Sequence, residues 1–464
     1  MTSAAPVAVE QAAAPPAAPV AAEQDAAEQA LPRAPPEQLL ARDFVPRPAD
    51  VRRHGSLARC CAAWCCSCEG QCMTRGIASM LNMLYVRHGA YSGAPKRDIP
   101  ALRRALGQRE DDHAVRATKL WSAGGLEGWA RDLEVPAVLL PRSPAGPGGA
   151  AARVPPLWTR VVEPRGPGGA AAAGGARPIV VFFHGGGHVH GSPRSRLYTG
   201  QFRHVFSRLG GCYIVAPAYA KAPEQPFPGA VLDCYDAVRW VASAASHALL
   251  PPGKADRRRV VLMGDSAGGN LVLAVATLVR DGLCADLSPA PAEMAALRVV
   301  CVAPQFPMCY LGTQTVSNRD NRDAFLLPDW HLEFYSEAYL GTEPVLKAAR
   351  LKDRRLAPLQ APLAGLPPVV LLSGGKDPFR DENEILARAL RDAAVPVTHV
   401  HGAKGVHVFT SFPLEPEAGT KLSEFLGAVA RAVSEAAPAA EPAASEQAKE
   451  GGKRGAVTLP NDAP

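Results

Sequence analysis

Several things are missing from this 464-residue sequence, and each absence narrows its reading. No run of 18 or more apolar residues occurs, so no transmembrane helix is expected. The N-terminus has no basic start followed by an apolar core, so a secretory signal is not expected. No block of Lys and Arg is present, and the net charge is +6 with 20% charged residues. Nothing there suggests a nucleic-acid footprint. No internal repeat is found. An evenly spaced cysteine framework is also missing. Of eleven cysteines, six crowd into Cys60, Cys61, Cys65, Cys66, Cys68 and Cys72. Cys212, Cys234, Cys284, Cys301 and Cys309 lie mostly in apolar surroundings, as buried free thiols do. A reducing compartment, the cytoplasm, is the expectation.

What is present divides the chain. The first 40 residues hold 14 Ala and 7 Pro without hydrophobic periodicity, and residues 435–464 read the same way. Such segments bury too little apolar surface to offset chain entropy. Residues 1–50 are therefore read as a disordered arm and 435–464 as a disordered tail. Acids in the arm, such as Glu10, Glu23, Asp25 and Glu28, weaken a transit-peptide reading, and organelle targeting stays open. Residues 51–134 combine the cysteine cluster with helix-like stretches at 73–86 and 98–133.

From about residue 135 the pattern changes. Apolar runs at Val135–Leu140, Trp158–Val162, Ile179–Phe183, Tyr213–Ala216, Val260–Met263, Val299–Ala303, Val369–Leu372 and Val397–Val400 read as strands. Segments 225–246, 267–280, 381–394 and 416–434 read as helices. This alternation predicts a mostly parallel eight-stranded sheet with helices on both faces. The first two strands have no helix between them, which suits an antiparallel pair. Residues 306–350 carry Trp330, Phe334, Tyr335 and Tyr339 at helical spacing. That stretch is too long for a simple loop and reads as an inserted helical cap.

The strongest chemical signal is Gly264-Asp265-Ser266-Ala267-Gly268 between an apolar strand and a helix. That is the setting in which G-x-S-x-G presents a serine nucleophile. A helix-capping serine in an ordinary turn is the plain alternative. His184-Gly185-Gly186-Gly187 ends an earlier strand. Consecutive glycines let backbone N–H groups face a cavity, as an oxyanion hole needs. A flexible turn, or a metal site on His184, His188 and His190, are its rivals. Asp377 follows the strand Val369–Leu372, where catalytic residues of open α/β sheets collect. Asp381 competes for the acid role, but Asp381 and Glu384 suit a helix N-terminal capping pair. His407 follows a Gly-containing loop, with His399 and His401 as rivals in the last strand. The order Ser266, Asp377, His407 is the chain order of α/β-hydrolase triads.

With these residues assembled, the chain resembles the hormone-sensitive-lipase-like branch of the α/β-hydrolases, including bacterial esterases, arylacetamide deacetylases and plant carboxylesterases. The likeness covers roughly 175–412. It rests on 184–187, Tyr219-Ala220-Lys221-Ala222-Pro223-Glu224-Gln225-Pro226-Phe227-Pro228, 264–270 and 377–382. It implies an α/β-hydrolase fold over 135–434, its cap built from N-terminal helices and the insertion at about 306–350. It implies Ser266 as nucleophile, His407 as base and Asp377 as orienting acid. Gly186, Gly187 and Ala267 are implied as oxyanion donors, with His184, Gly185, Gly264, Gly268 and Glu224 as supporting motif residues. Where the branch usually has an aromatic or small apolar residue after its glycines, this chain has His188, which bears on the acyl pocket. Arg-Leu of the Tyr motif is replaced by Ala220-Lys221.

The expected activity is a serine carboxylesterase, lipase-like in fold, acting on small-molecule esters of small or medium acyl groups without cofactor or metal. Amide deacetylation by the same triad and a non-catalytic small-ligand receptor are the alternatives. Around Cys60–Cys72, S-acylation holding a peripheral membrane contact, a zinc site using Cys65 and Cys68, and an unconstrained cysteine-rich stretch all stay open. Oligomeric state is not legible.

Overall fold

A computed structural model of the chain describes residues 130–135, 157–163, 175–310, 314–324, 326–412 and 415–436. The arm, the cysteine cluster, most of 51–134 and the tail beyond 436 lie outside the described residues. Eight strands form one sheet: β1 (Ala130–Val135), β2 (Leu157–Val162), β3 (Arg177–Phe183), β4 (Tyr213–Pro217), β5 (Ala255–Asp265), β6 (Val299–Gln305), β7 (Val369–Gly374) and β8 (Val397–Gly402). Their order is β1-β2-β4-β3-β5-β6-β7-β8. β1 pairs antiparallel with β2, as does β2 with β4; every later pairing is parallel.

The first strand departs from the reading above. It occupies Ala130–Val135 rather than Val135–Leu140, so the helix-like pattern assigned to 98–133 fails over 130–133 and the sheet begins before residue 135. Arg131, Asp132 and Glu134 made this segment read as polar. It is an edge strand, where charged residues are tolerated and discourage further strand pairing.

Helix α1 (Arg196–Arg208) was not expected. Its apolar spacing is helical: Tyr198, Phe202, Val205 and Phe206 are all buried, and Ser195 Oγ accepts from Leu197 N at 3.3 Å as its N-cap. Gly200 and the scarcity of strong helix formers hid it. The helices expected next are found as α2 (Gly229–Ala242) and α3 (Ala267–Arg280). Segment 306–350 carries α4 (Val316–Asp320), α5 (Asp329–Leu340) and α6 (Pro344–Arg350). Then come α7 (Arg380–Asp392) and α8 (Ala418–Glu435). The N-cap of α7 is Phe379, without a side-chain cap, so the capping role expected of Asp381 is not found.

Strand alternation divides the core in two. Ile179, Val181 and Phe183 face α2, α3 and α7, packing with Tyr235, Val238, Leu271, Val275 and Leu386. Val180 and Phe182 face α1 and α8, packing with Phe202, Val205, Leu422, Phe425 and Val429. Each such fully buried side chain contributes about 1.5–3 kcal/mol. Cys212, Cys234, Cys284, Cys301 and Cys309 are free and buried, as their apolar surroundings suggested. The parallel strands β3, β5, β7 and β8 all end at one edge. Residues 184–187, 266, 377 and 407 follow those ends, so four segments distant in sequence meet there.

Candidate active site

β5 runs directly into Ser266, whose backbone is held at φ 55° and ψ −119° before α3 begins. A non-glycine residue rarely adopts this conformation, and such strain collects at functional sites. The turn is locked from both sides. Ser266 N donates to Gln305 O at 2.7 Å. A Cβ on Gly268 would run into the Phe183 carbonyl of β3, so glycine there lets the helix start against the neighbouring strand.

The serine side chain points into a hydrogen-bond chain. His407 Nε2 lies 2.9 Å from Ser266 Oγ, and His407 Nδ1 lies 2.8 Å from Asp377 Oδ2. With Nδ1–H donating to the carboxylate, Nε2 is left to accept the serine proton. Asp377 Oδ1 accepts Phe379 N at 2.9 Å, which fixes the carboxylate plane. The imidazole is flanked edge-on by Phe379 (centroids 5.3 Å apart, planes at 87°) and Phe306 (5.9 Å, 68°). Ser266, His407 and Asp377 are all buried.

The rivals go elsewhere. Asp381 Oδ2 accepts Ser317 N at 2.6 Å, while its Oδ1 pairs with Arg380 at 2.7 Å. Ser317 Oγ and Asn318 Nδ2 both donate to Pro378 O. The loop that carries Asp377 is thus tied to α4. His399 and His401 share Ser373 Oγ at 2.7 and 2.8 Å. The three histidines of the glycine loop face different aromatic partners: His184 on Tyr219, His188 on Tyr339 and His190 against Tyr335. They do not converge as a metal site would, and no metal-binding group gathers among the described residues.

The glycine loop has positive φ at Gly186 (115°) and Gly187 (61°). The N–H groups of Gly186, Gly187 and Ala267 find no acceptor among the described residues and remain available to an incoming oxygen. Gly185 N donates to Asp265 Oδ1 at 3.0 Å, and Tyr198 OH donates to Asp265 Oδ2 at 3.2 Å. Burial pushes the Asp265 carboxyl up to about 6, partly offset by the Tyr198 bond. Tyr219 OH donates to His184 O at 2.6 Å, and the two rings stack 4.2 Å apart. His184 Nδ1–H donates to Gly185 O at 2.7 Å; burial holds this imidazole well below its ordinary value, hence neutral. Ala222 N donates to His188 O at 2.9 Å. The Tyr219–Pro228 motif is therefore a brace for the glycine loop through Tyr219 and Ala222, whereas Glu224 lies exposed.

Asp265, Tyr198 and Tyr219 were not singled out as functional from sequence. Asp265 sits inside the serine motif, but its partner Gly185 is 80 residues away. No local spacing announces that pairing.

Comparison with known proteins bears on the family and the fold. The family profile of the α/β-hydrolase fold matches residues 180–411, half of the chain. The acetyl-hydrolase of Streptomyces hygroscopicus is 31% identical over 257 residues, covering 54% of this chain and 75% of that protein. The carboxylic ester hydrolase LipN of Mycobacterium tuberculosis is 35% identical over 228 residues, covering 49% of this chain and only 55% of LipN. The solved esterase of Pyrobaculum calidifontis in its monoclinic form superposes with a TM-score of 0.56 at 25% identity, covering 76% of this chain and 97% of that one. By the profile match, the shared sheet and the motifs at its strand ends, the chain belongs to the α/β-hydrolase fold family, in its esterase branch.

Proposed function

We infer that the chain is a serine hydrolase that cleaves carboxylic esters of small or medium acyl groups through an acyl-enzyme. The observation that carries this reading is the unbroken chain Ser266 Oγ, His407 Nε2, His407 Nδ1, Asp377 Oδ2, at 2.9 and 2.8 Å. An acetyl-hydrolase among the relatives supports a small acyl group.

The geometry supports each role. A neutral serine is a weak nucleophile, and His407 takes its proton as Oγ attacks the ester carbonyl. The resulting imidazolium is stabilised by Asp377, which also holds the tautomer that accepts at Nε2. The carbonyl oxygen becomes an oxyanion, to which the N–H groups of Gly186, Gly187 and Ala267 donate. Losing one such donor typically costs about 2.7–4 kcal/mol of transition-state stabilisation. His407 returns the proton to the departing alcohol, and water repeats the sequence on the acyl-enzyme.

A fluorophosphonate probe tests this reading without assuming the natural ester. One equivalent of phosphonate should attach to the peptide containing Ser266, and His407→Ala should slow labelling by orders of magnitude. Labelling at another residue, or none in a folded sample, would overturn the assignment.

A further inference from the structure

We propose that Tyr335, on helix α5 of the inserted segment, is a positioning residue for the oxyanion loop, so that seating of this helix sets transition-state stabilisation. The inference rests on the hydrolase reading above and adds a residue to it.

The glycine loop is fastened by different groups along its length. At its start, His184 and Gly185 are held by Tyr219, Tyr198 and Asp265. At its end, Val189 N and His190 N both donate to Gly186 O at 3.0 Å, and His188 O accepts from Ala222 N. Gly187 is held differently. The three atoms nearest to where its Cβ would stand all belong to the Tyr335 ring. That ring lies on Gly187 because no side chain separates them, and Gly187 has φ 61°, a conformation with little steric preference of its own for glycine.

Tyr335 is fixed in turn. Its hydroxyl is 2.9 Å from His190 Nε2, and the His331 ring stacks with it at 5.6 Å between centroids. Tyr335 is 8% exposed. His190 therefore links the loop to the helix: its backbone N–H donates to Gly186 O, and its ring bonds the Tyr335 hydroxyl of α5. The ring and this hydrogen bond together close a clasp of α5 over the segment that presents two of the three oxyanion N–H groups. Misplacing catalytic groups by about 1 Å can cost on the order of 100-fold in rate.

The test compares Tyr335→Leu, which removes the ring but keeps apolar bulk, with Tyr335→Phe, which removes only the bond to His190. Both are assayed on p-nitrophenyl butyrate and for inhibition by a trifluoromethyl ketone, whose serine adduct places an oxyanion in the same hole. Thermal melts establish that each variant is folded. In Tyr335→Leu, kcat should fall about 10- to 100-fold with KM changed less than threefold, and the ketone should bind weaker by a similar factor. Tyr335→Phe should retain most of the activity. Unchanged kcat, a change confined to KM, or a loss of kcat with unaltered ketone affinity would overturn the inference. Wild-type protein without turnover would instead refute the hydrolase reading itself; wild-type turnover matched by Tyr335→Leu would refute this inference alone.

Discussion

Replacing Asp377 by Asn should cripple turnover, and replacing Asp381 by Asn should not, although both carboxylates are buried and lie four residues apart. The structure dictates how an amide at 377 must orient. Oδ1 accepts Phe379 N at 2.9 Å, so the amide carbonyl has to occupy that place and the NH2 turns toward His407 Nδ1. An NH2 cannot accept from Nδ1–H. His407 then shifts its proton to Nε2, which donates to Ser266 Oγ instead of accepting from it. This wrong tautomer costs on the order of 10⁴ in turnover in a serine-protease triad, equivalent to about 5 kcal/mol. Asn at 381 can keep its carbonyl on Ser317 N and loses the pairing with Arg380. The expected cost is about 1–3 kcal/mol of stability and less than tenfold in turnover. The assay is steady-state hydrolysis of p-nitrophenyl acetate at pH 8, with urea unfolding of each variant. Comparable losses of turnover in the two variants, both folded, would refute the assignment of Asp377.

Further consequences follow from buried polar groups. His188 lies flat on Tyr339, with ring centroids 4.0 Å apart, and neither ring nitrogen has a hydrogen-bond partner among the described residues. Burial lowers this imidazole from 6.5 to about 3. The unfolded chain takes up a proton below pH 6.5 that the fold refuses, so this group's contribution is present above 6.5 and lost as pH falls toward 3. His188→Phe keeps the stack and should raise stability by about 1–3 kcal/mol at pH 8, and by about 2 kcal/mol more at pH 5; a gain in melting temperature equal at both pH values would contradict this. Glu382 behaves in the opposite sense. It accepts Cys309 N at 2.8 Å, and burial pushes it from 4.5 up to about 7. Its stabilising contribution is complete below pH 4.5 and gone above pH 7. Between those limits wild type should lose roughly 3 kcal/mol that Glu382→Gln does not lose, measured as the difference between their urea unfolding free energies at pH 5 and pH 8. A difference independent of pH would rule the Glu382 argument out.

The meeting of Ser266, His407 and Asp377 was legible because each of the three stands beside a local signal. Ser266 has a strand before it and a helix after it. Asp377 stands just past a strand end, which favoured it over Asp381. His407 was the least distinctive of the three, and chain order selected it. The glycine loop was legible because three glycines after an apolar strand have few structural uses. What escaped depends on distant pairings. Tyr335 meets His190 across 145 residues, and Asp265 meets Gly185 across 80. Both read as ordinary helix or turn residues. Among the elements, α1 was hidden by weak helix formers despite helical apolar spacing. The first strand was displaced because an edge strand carries charges that look like a helix surface. The inserted segment differs in kind: its aromatic spacing announced helix α5 but not which ring would reach the glycine loop.

The most direct test is hydrolysis of p-nitrophenyl esters from acetate to palmitate by the full chain and by Ser266→Ala. Saturable turnover with an optimum among the shorter acyl groups, abolished in the variant, is the predicted result. Turnover that survives in Ser266→Ala, or a folded wild-type protein inactive on every ester, would contradict it.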